Sequence, residues 1–420
     1  VTPTQAATLA PAHRATNALA SVRYWSRIGL EATLVLFITS ALFDPADLVL
    51  GLKVELFIAC WGFAALSLVL RREPTRLPVG LLLYTLTFLA IPTASIAWYY
   101  ITDGSDPFEG FALFKGYLLI TLGLLLYLTR VDLLPHLCAM LTLLALGILG
   151  VFAVLVVAPG LLPAVQIAGA TTGIVALAER DYGSGLVMQQ VYFVTSPMLA
   201  ISIAYYLQRA WNTKRVARAS YLLLGLISCV GMFVAGTRNN MLVAILLPLA
   251  LYFLHSRNKA VGWALCSSVV MLGALAFMDE IRTLLDPTEY SNYTKLVLLR
   301  DYAELFTRPD VLLFGQGLGA YHFWTARGWE YFISELTYLE MIRNFGLFAA
   351  MVMLGLLLYP LVHAFAWQRS YAERDVVAGY AFYLLICASN PNMFSSMGML
   401  ILPIILANMY LSMRSRARVG

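Results

Sequence analysis

The sequence predicts an all-α, polytopic integral membrane protein with about twelve transmembrane helices, and three observations carry that prediction. Of the 420 residues 60% are hydrophobic and only 12% charged, and the mean hydropathy is +0.78. The apolar residues come in blocks of about 20, the length of helix that crosses a hydrocarbon core. The alternating ~10-residue strands of a membrane β-barrel are absent.

Taken in order, residues 1–24 are Ala/Thr-rich and polar, lack the apolar segment and cleavage site of a secretory signal, and read as a loose cytoplasmic tail. Spans are predicted at 25–43, 48–70, 78–100, 111–128, 133–158, 191–208, 219–236, 239–255, 260–278, 335–362, 375–390 and 393–412. The first nine form a membrane bundle over 25–278, interrupted by an outer loop at 159–190. A large outer loop occupies 279–334, the last three spans fill 335–412, and a basic tail closes the chain at 413–420.

Lys and Arg set the orientation. With the N-terminus inside, the inner connections, from Arg14 to Arg418, collect 18 of the 28 basic residues. The outer connections hold Asp44, Asp47, Asp103, Asp106, Glu109, Glu179 and Asp181. The five cysteines all fall inside apolar runs at spacings that suit neither a metal nor a disulfide framework, so they read as small buried hydrophobes.

Loops as long as the two outer ones usually have a function. Within the second, 292–306 reads as a helix with Tyr293, Leu296, Val297 and Arg300 on one face, lying over the outer mouth of the bundle. The outer surface also gathers Arg180, Arg238, Arg300, Arg308, Arg327 and Arg343 against the usual bias. Arg238 sits in the turn Gly236-Thr237-Arg238-Asn239-Asn240, at the start of a returning helix. A guanidinium fork there, with the N–H groups of the helix N-terminus, suits a phosphate. The competing reading is an arginine that snorkels to lipid headgroups. Arg180 has Glu179 and Asp181 as neighbours, and Arg300 has Glu304 one turn on, so ordinary surface pairs account for each as well. Arg343 falls inside a predicted span, where arginine costs about 2.5–3.5 kcal/mol or more, and takes Glu340 or a lipid phosphate as partner.

Three segments carry a resemblance: AGTRNN opening an apolar helix, an arginine helix followed by LFGQGLGAY, and SELTYLEMIRNFGLFAAMVMLGLLL. Together with the span layout they resemble the bacterial O-antigen polymerase and O-antigen ligase family, the Wzy-type polymerases more than the WaaL-type ligases. The resemblance implies a GT-C-like helical fold in the bacterial inner membrane, with its active site facing the periplasm. It implies glycosyl transfer from an undecaprenyl-pyrophosphate-linked glycan to a sugar hydroxyl of the next repeat unit, building O-antigen or exopolysaccharide. Arg238 and Arg300 match the family arginines that hold the donor pyrophosphate. Where ligases carry a histidine this chain has Glu335, which turns the resemblance away from a ligase that acts on lipid A core. A chain-length regulator protein and membrane lipid are the further partners implied, and no nucleic acid.

The chemistry needs cations on the departing pyrophosphate and a base for the attacking hydroxyl. Glu335, where the outer loop meets the tenth span, is the candidate base, and it equally suits the first turn of a helix capped by Ser334. His322 is the rival base. Tyr321, Trp324, Trp329 and Tyr331 suit either sugar stacking or an interfacial aromatic belt. Asp279, Glu280, Asp286 and Glu289 follow no metal-ligand spacing, so neither metal nor cofactor is expected. A transporter of lipid-linked sugars is the alternative from another class, but the paired repeats and broken midplane helices of transporters are not apparent.

Overall fold

The computed structural model describes residues 3–71, 76–103, 107–181, 187–276, 286–367, 371–394 and 397–416, with Met278 and Arg282. Side chains are described there except at 3–20, 178–181, 187–188, 274, 276, 392, 394, 415 and 416. Asp279 and Glu280 lie outside the described residues.

The chain is helical throughout, with two short antiparallel hairpins and no larger sheet among the described residues. Helix α1 (Pro3–Phe43) takes in the segment expected as a loose tail, and α2 (Lys53–Val69) packs back along it. Then come α3 (Val79–Asp103), α4 (Phe108–Leu118), α5 (Thr121–Thr129) and α6 (Leu134–Val157). The first expected outer loop is partly ordered, as α7 (Leu162–Thr172) and a hairpin of β1 (Val175–Asp181) and β2 (Val187–Phe193). Helices α8 (Leu199–Asn212), α9 (Arg215–Val234), α10 (Arg238–His255) and α11 (Lys259–Ala276) follow. The second outer segment forms α12 (Tyr290–Leu305), α13 (Pro309–Phe314) and a hairpin of β3 (His322–Trp324) and β4 (Trp329–Tyr331). The chain closes with α14 (Thr337–Phe345), α15 (Leu347–Val362), α16 (Arg374–Cys387) and α17 (Ile401–Arg416).

Among the described residues seven helical stretches are long and apolar enough to cross a membrane: Ser21–Phe43, Val79–Thr102, Phe108–Thr129, Leu134–Val157, Arg215–Val234, Arg238–His255 and Leu347–Trp367. The expected span at 335–362 is broken. Gly346, at φ 77°, divides it into α14 and α15, and a Cβ there would lie 2.2 Å from the Leu313 carbonyl oxygen, so the α13 end packs directly over the break.

Helices α8 and α16 occupy the centre of the bundle, buried along most of their faces. At 14 residues each they are about 21 Å long, short of a hydrocarbon core. Neighbouring helices rather than lipid cover them. Small residues allow that packing: a Cβ on Gly379 of α16 would lie 2.6 Å from the Ala200 carbonyl of α8, and one on Gly231 of α9 would lie 2.8 Å from Ala145 of α6.

The polar residues separate to the two ends of the bundle. At one end Arg209 pairs with Glu373 at 2.9 Å and His255 with Asp375 at 2.6 Å, while Asn408 donates to Asp132 at 3.2 Å. At the other, Thr195 donates to the Leu42 carbonyl at 2.9 Å and Thr337 to the Asn390 carbonyl at 3.0 Å. This second end carries both hairpins and the Arg238 turn.

Candidate functional site

The AGTRNN turn is fixed from three sides. Gly236 has φ 73°, and a Cβ there would come within 2.5 Å of the Gln190 side chain on β2, so glycine alone fits. Thr237 caps α10 by accepting the Asn240 N–H at 3.2 Å. The Asn239 amide donates to Ser389 Oγ at 2.6 Å, and the buried Asn240 amide donates to Ser196 Oγ at 3.0 Å. Arg238 is thereby held as the first residue of a capped helix, its side chain 18% exposed. Its guanidinium donates to Asn292 Oδ1 at 2.6 Å and pairs with Glu289 Oε2 at 2.7 Å, both on the entry turn of α12.

Beside this turn lies a cavity of about 380 Å³. Arg238, Lys295 and Glu335 line it, with Tyr192, Thr237, Asn239, Ser291, Ser389 and Asn390. Its size is that of a small-molecule site. Three of the lining residues are charged: Arg238 at the N-terminus of α10, where the helix dipole also favours an anion, Lys295 from α12 and Glu335 from the chain entering α14. The rest of the polar lining is neutral hydroxyls and amides, with the Asn390 amide donating to the Tyr192 hydroxyl at 3.1 Å. Glu335 is paired with Arg327, which leans over the Trp329 ring with its Cζ 6.0 Å from the centroid. Two cations and a carboxylate around one space can hold an oxyanion and accept a proton from a neighbouring hydroxyl.

Arg238 and Glu335, the expected anion holder and base, therefore share one cavity. Arg300 does not join them: it is exposed on α12, together with Tyr293 and Leu296, while Thr294, Leu298, Tyr302 and Leu305 form the buried stripe. The helix lies against the bundle through that stripe, and Lys295, beside it, lines the cavity. The sequence offered a signal for this. Ser291 and Lys295, both lining the cavity, stand four residues apart, and Thr294, Leu298 and Tyr302 repeat the same spacing one position earlier. Ser389 and Asn390 are likewise not singled out by the sequence, and Glu289 is weighed there only as a metal ligand. Arg180 stands on β1, but its side chain is outside those described.

Arg343 is fully buried, and its partner is Glu340, also fully buried. Its Nε and one terminal nitrogen reach the two Glu340 oxygens at 3.0 and 2.5 Å. The remaining donors go to Gln316 Oε1 at 3.0 Å and to the carbonyls of Ala320 and Phe332, each at 2.9 Å. These bonds occupy all five guanidinium N–H groups. Tyr302 donates to Glu340 at 2.6 Å from α12. Arg343 is thus a clasp between α14 and the outer segment, and the lipid-phosphate alternative for it is replaced by an internal ion pair.

The aromatic candidates divide. Trp324 is fully buried, packed on Tyr302 at 5.0 Å and under the Arg343 guanidinium at 5.7 Å, so its ring has no open face for a sugar. Tyr321, Trp329 and Tyr331 are exposed, and the Tyr321 hydroxyl reaches Glu109 at 3.2 Å. His322 sits edge-on to Trp324, ring centroids 4.6 Å apart, and does not line the cavity. Burial, and then the nearby Arg343 charge, push its pKa below the ordinary 6.5. Among the described residues no cluster of His, Cys, Asp or Glu is arranged to hold a metal ion. Asp286 caps the Thr288 amide at 2.8 Å and Glu289 faces Arg238.

The fold is that of an all-α membrane protein, with a cation-lined polar cavity at one end of the helix bundle. No protein-family model and no curated protein matches the chain.

Proposed function

We propose that this chain is a metal-independent membrane glycosyltransferase, a polysaccharide polymerase that acts at the outer face of a bacterial inner membrane. Its substrates in this reading are undecaprenyl-pyrophosphate-linked oligosaccharides, both as donor and as acceptor. The single observation that carries the reading is the cavity in which Arg238, Lys295 and Glu335 meet.

Arg238 and Lys295 hold the donor pyrophosphate, with Lys295 in the part expected of Arg300. The acceptor hydroxyl attacks the anomeric carbon and gives its proton to Glu335 as the bond from that carbon to the pyrophosphate oxygen breaks. Charge grows on the leaving oxygen during this step, so cations fixed beforehand lower the barrier. The neutral hydroxyls and amides of the lining suit a sugar. The cavity lies at the bundle end that the distribution of basic residues assigns to the outside.

The test is polymer length on a gel, in cells lacking their own polymerase, with membrane levels of each variant matched. Arg238→Ala is expected to lower the rate about a hundredfold, about 3 kcal/mol, by analogy with the loss of one oxyanion donor. Arg238→Lys should fail almost as badly, because a point charge does not replace the fork. Near-normal ladders from Arg238→Lys and Lys295→Met together would reduce the site to a headgroup anchor and remove the reading.

A further inference from the structure

Arg238 already has an anion. Glu289 Oε2 lies 2.7 Å from one terminal nitrogen of its guanidinium, and Asn292 Oδ1 lies 2.6 Å from the other. Both come from the first turn of α12, where Glu289 is also the N-cap and accepts the Asn292 N–H at 3.1 Å. The pair is partly covered, with 18% of the arginine and 24% of the glutamate side chain exposed. The same α12 surface lines the cavity through Ser291 and Lys295.

We infer that Glu289 is an internal stand-in for the ligand phosphate, a latch that occupies the Arg238 fork at rest and is exchanged for a diphosphate ester on binding. The inference rests on the proposed reading of the cavity as a diphosphate site. Glu289 and Asn292 each take one of the two terminal nitrogens, so a phosphate that grips the guanidinium through both must displace them. Lys295 lines the cavity from the next turn of α12 and adds a second positive charge for a dianion. The exchange frees the entry turn of α12 from α10. Arrival of the ligand is thereby coupled to the outer segment, which continues from α12 to Glu335. Because Glu289 competes for the site, its charge weakens the affinity of the resting protein, and an incoming anion must exceed a pre-formed ion pair.

The measurement is binding of inorganic pyrophosphate and of farnesyl diphosphate to the purified full-length protein in detergent, at fixed salt. Glu289→Gln is expected to bind both roughly three- to tenfold more tightly, the scale of a partly exposed ion pair. Glu289→Asp keeps a carboxylate that caps α12 but draws it back by one methylene, so it should bind with intermediate affinity and an intact fold. Thermal unfolding of each variant checks that fold. Wild-type binding that Arg238→Lys weakens, with unchanged or weaker binding in both Glu289 variants, would overturn the latch and leave the diphosphate site standing. If no diphosphate binds wild type or either variant, the site reading falls and the latch with it. Tighter binding of farnesyl diphosphate alone in Glu289→Gln still supports the latch and identifies the lipid-linked ester as the ligand.

Discussion

Arg343 and Arg238 show how differently one side chain can be used at two depths. Arg343 directs five donors to protein acceptors around a buried glutamate, and removing one member of such a pair leaves the other charge uncompensated. Arg343→Met should cost about 3–5 kcal/mol, seen as a lower unfolding temperature in detergent and faster tryptic cleavage at Arg327. Adding Glu340→Leu should recover much of that loss, since the uncompensated carboxylate is then gone. Identical losses in the single and double variants would show that shape rather than charge holds the clasp. His322 adds a pH term of definite sign. Its folded pKa lies below 6.5, so the unfolded chain binds more protons and stability rises with pH. The contribution is complete above pH 6.5 and is lost as the pH falls toward the lowered folded value. His322→Asn should flatten that part of the stability profile, and an unchanged slope would assign it to other groups.

At the scale of elements, the LFGQGLGAY segment is a packing device rather than a nucleotide loop. Its glycines at 315, 317 and 319 all have positive φ, and a Cβ on Gly317 would lie 2.4 Å from the Tyr99 Cβ of α3. Ser95 completes the seat, donating to the Asn344 carbonyl at 2.6 Å and accepting the Leu318 N–H at 2.8 Å. Gly317→Ala should therefore loosen the whole outer segment and cost polymer length as well as stability. Gly328→Ala is its control: φ is 72° there too but nothing lies within 4 Å, so only the backbone penalty of about 1–2 kcal/mol applies. Equal effects of the two would mean that close packing at Gly317 is unimportant. Helix α12 gives a second contrast. In the proposed reading Arg300→Lys should be nearly silent because the side chain is exposed, while Lys295→Met should remove activity, so that Lys295 takes the part that the resemblance implies for Arg300.

At the scale of the molecule, the ends of the helices sort their charges. The cavity shares its end with Thr195 and Asn390, while Arg209, His255 and Asp375 meet at the other. In a cysteine-less background, a cysteine at Ser389 should react with an impermeant maleimide from outside intact spheroplasts. One at Lys214 should react only after lysis. Labelling of both from the same side would invalidate the orientation on which the proposed function depends.

The sequence by itself determined the medium and the fold class. Hydrophobic blocks of membrane length are a local property, readable at Val79–Thr102 or Leu134–Val157 without reference to any neighbour. It also singled out Arg238, because a helix-opening arginine between two apolar runs is conspicuous in one dimension, and Glu335, which the structure places beside it. Tertiary structure decided the rest. Whether Lys295 or Arg300 faces the cavity depends on how α12 is rotated about its axis, which the packing of Leu298, Tyr302 and Trp324 fixes. Whether Arg343 meets a ligand or Glu340 depends on a loop folding back over Gly346. The short buried helices α8 and α16 are set by helix-on-helix contacts at Gly379, where close approach replaces length as the requirement. A charge at a turn is visible in sequence, but the partner that neutralises it comes from a distant segment, and only the assembled bundle brings Glu289 to Arg238.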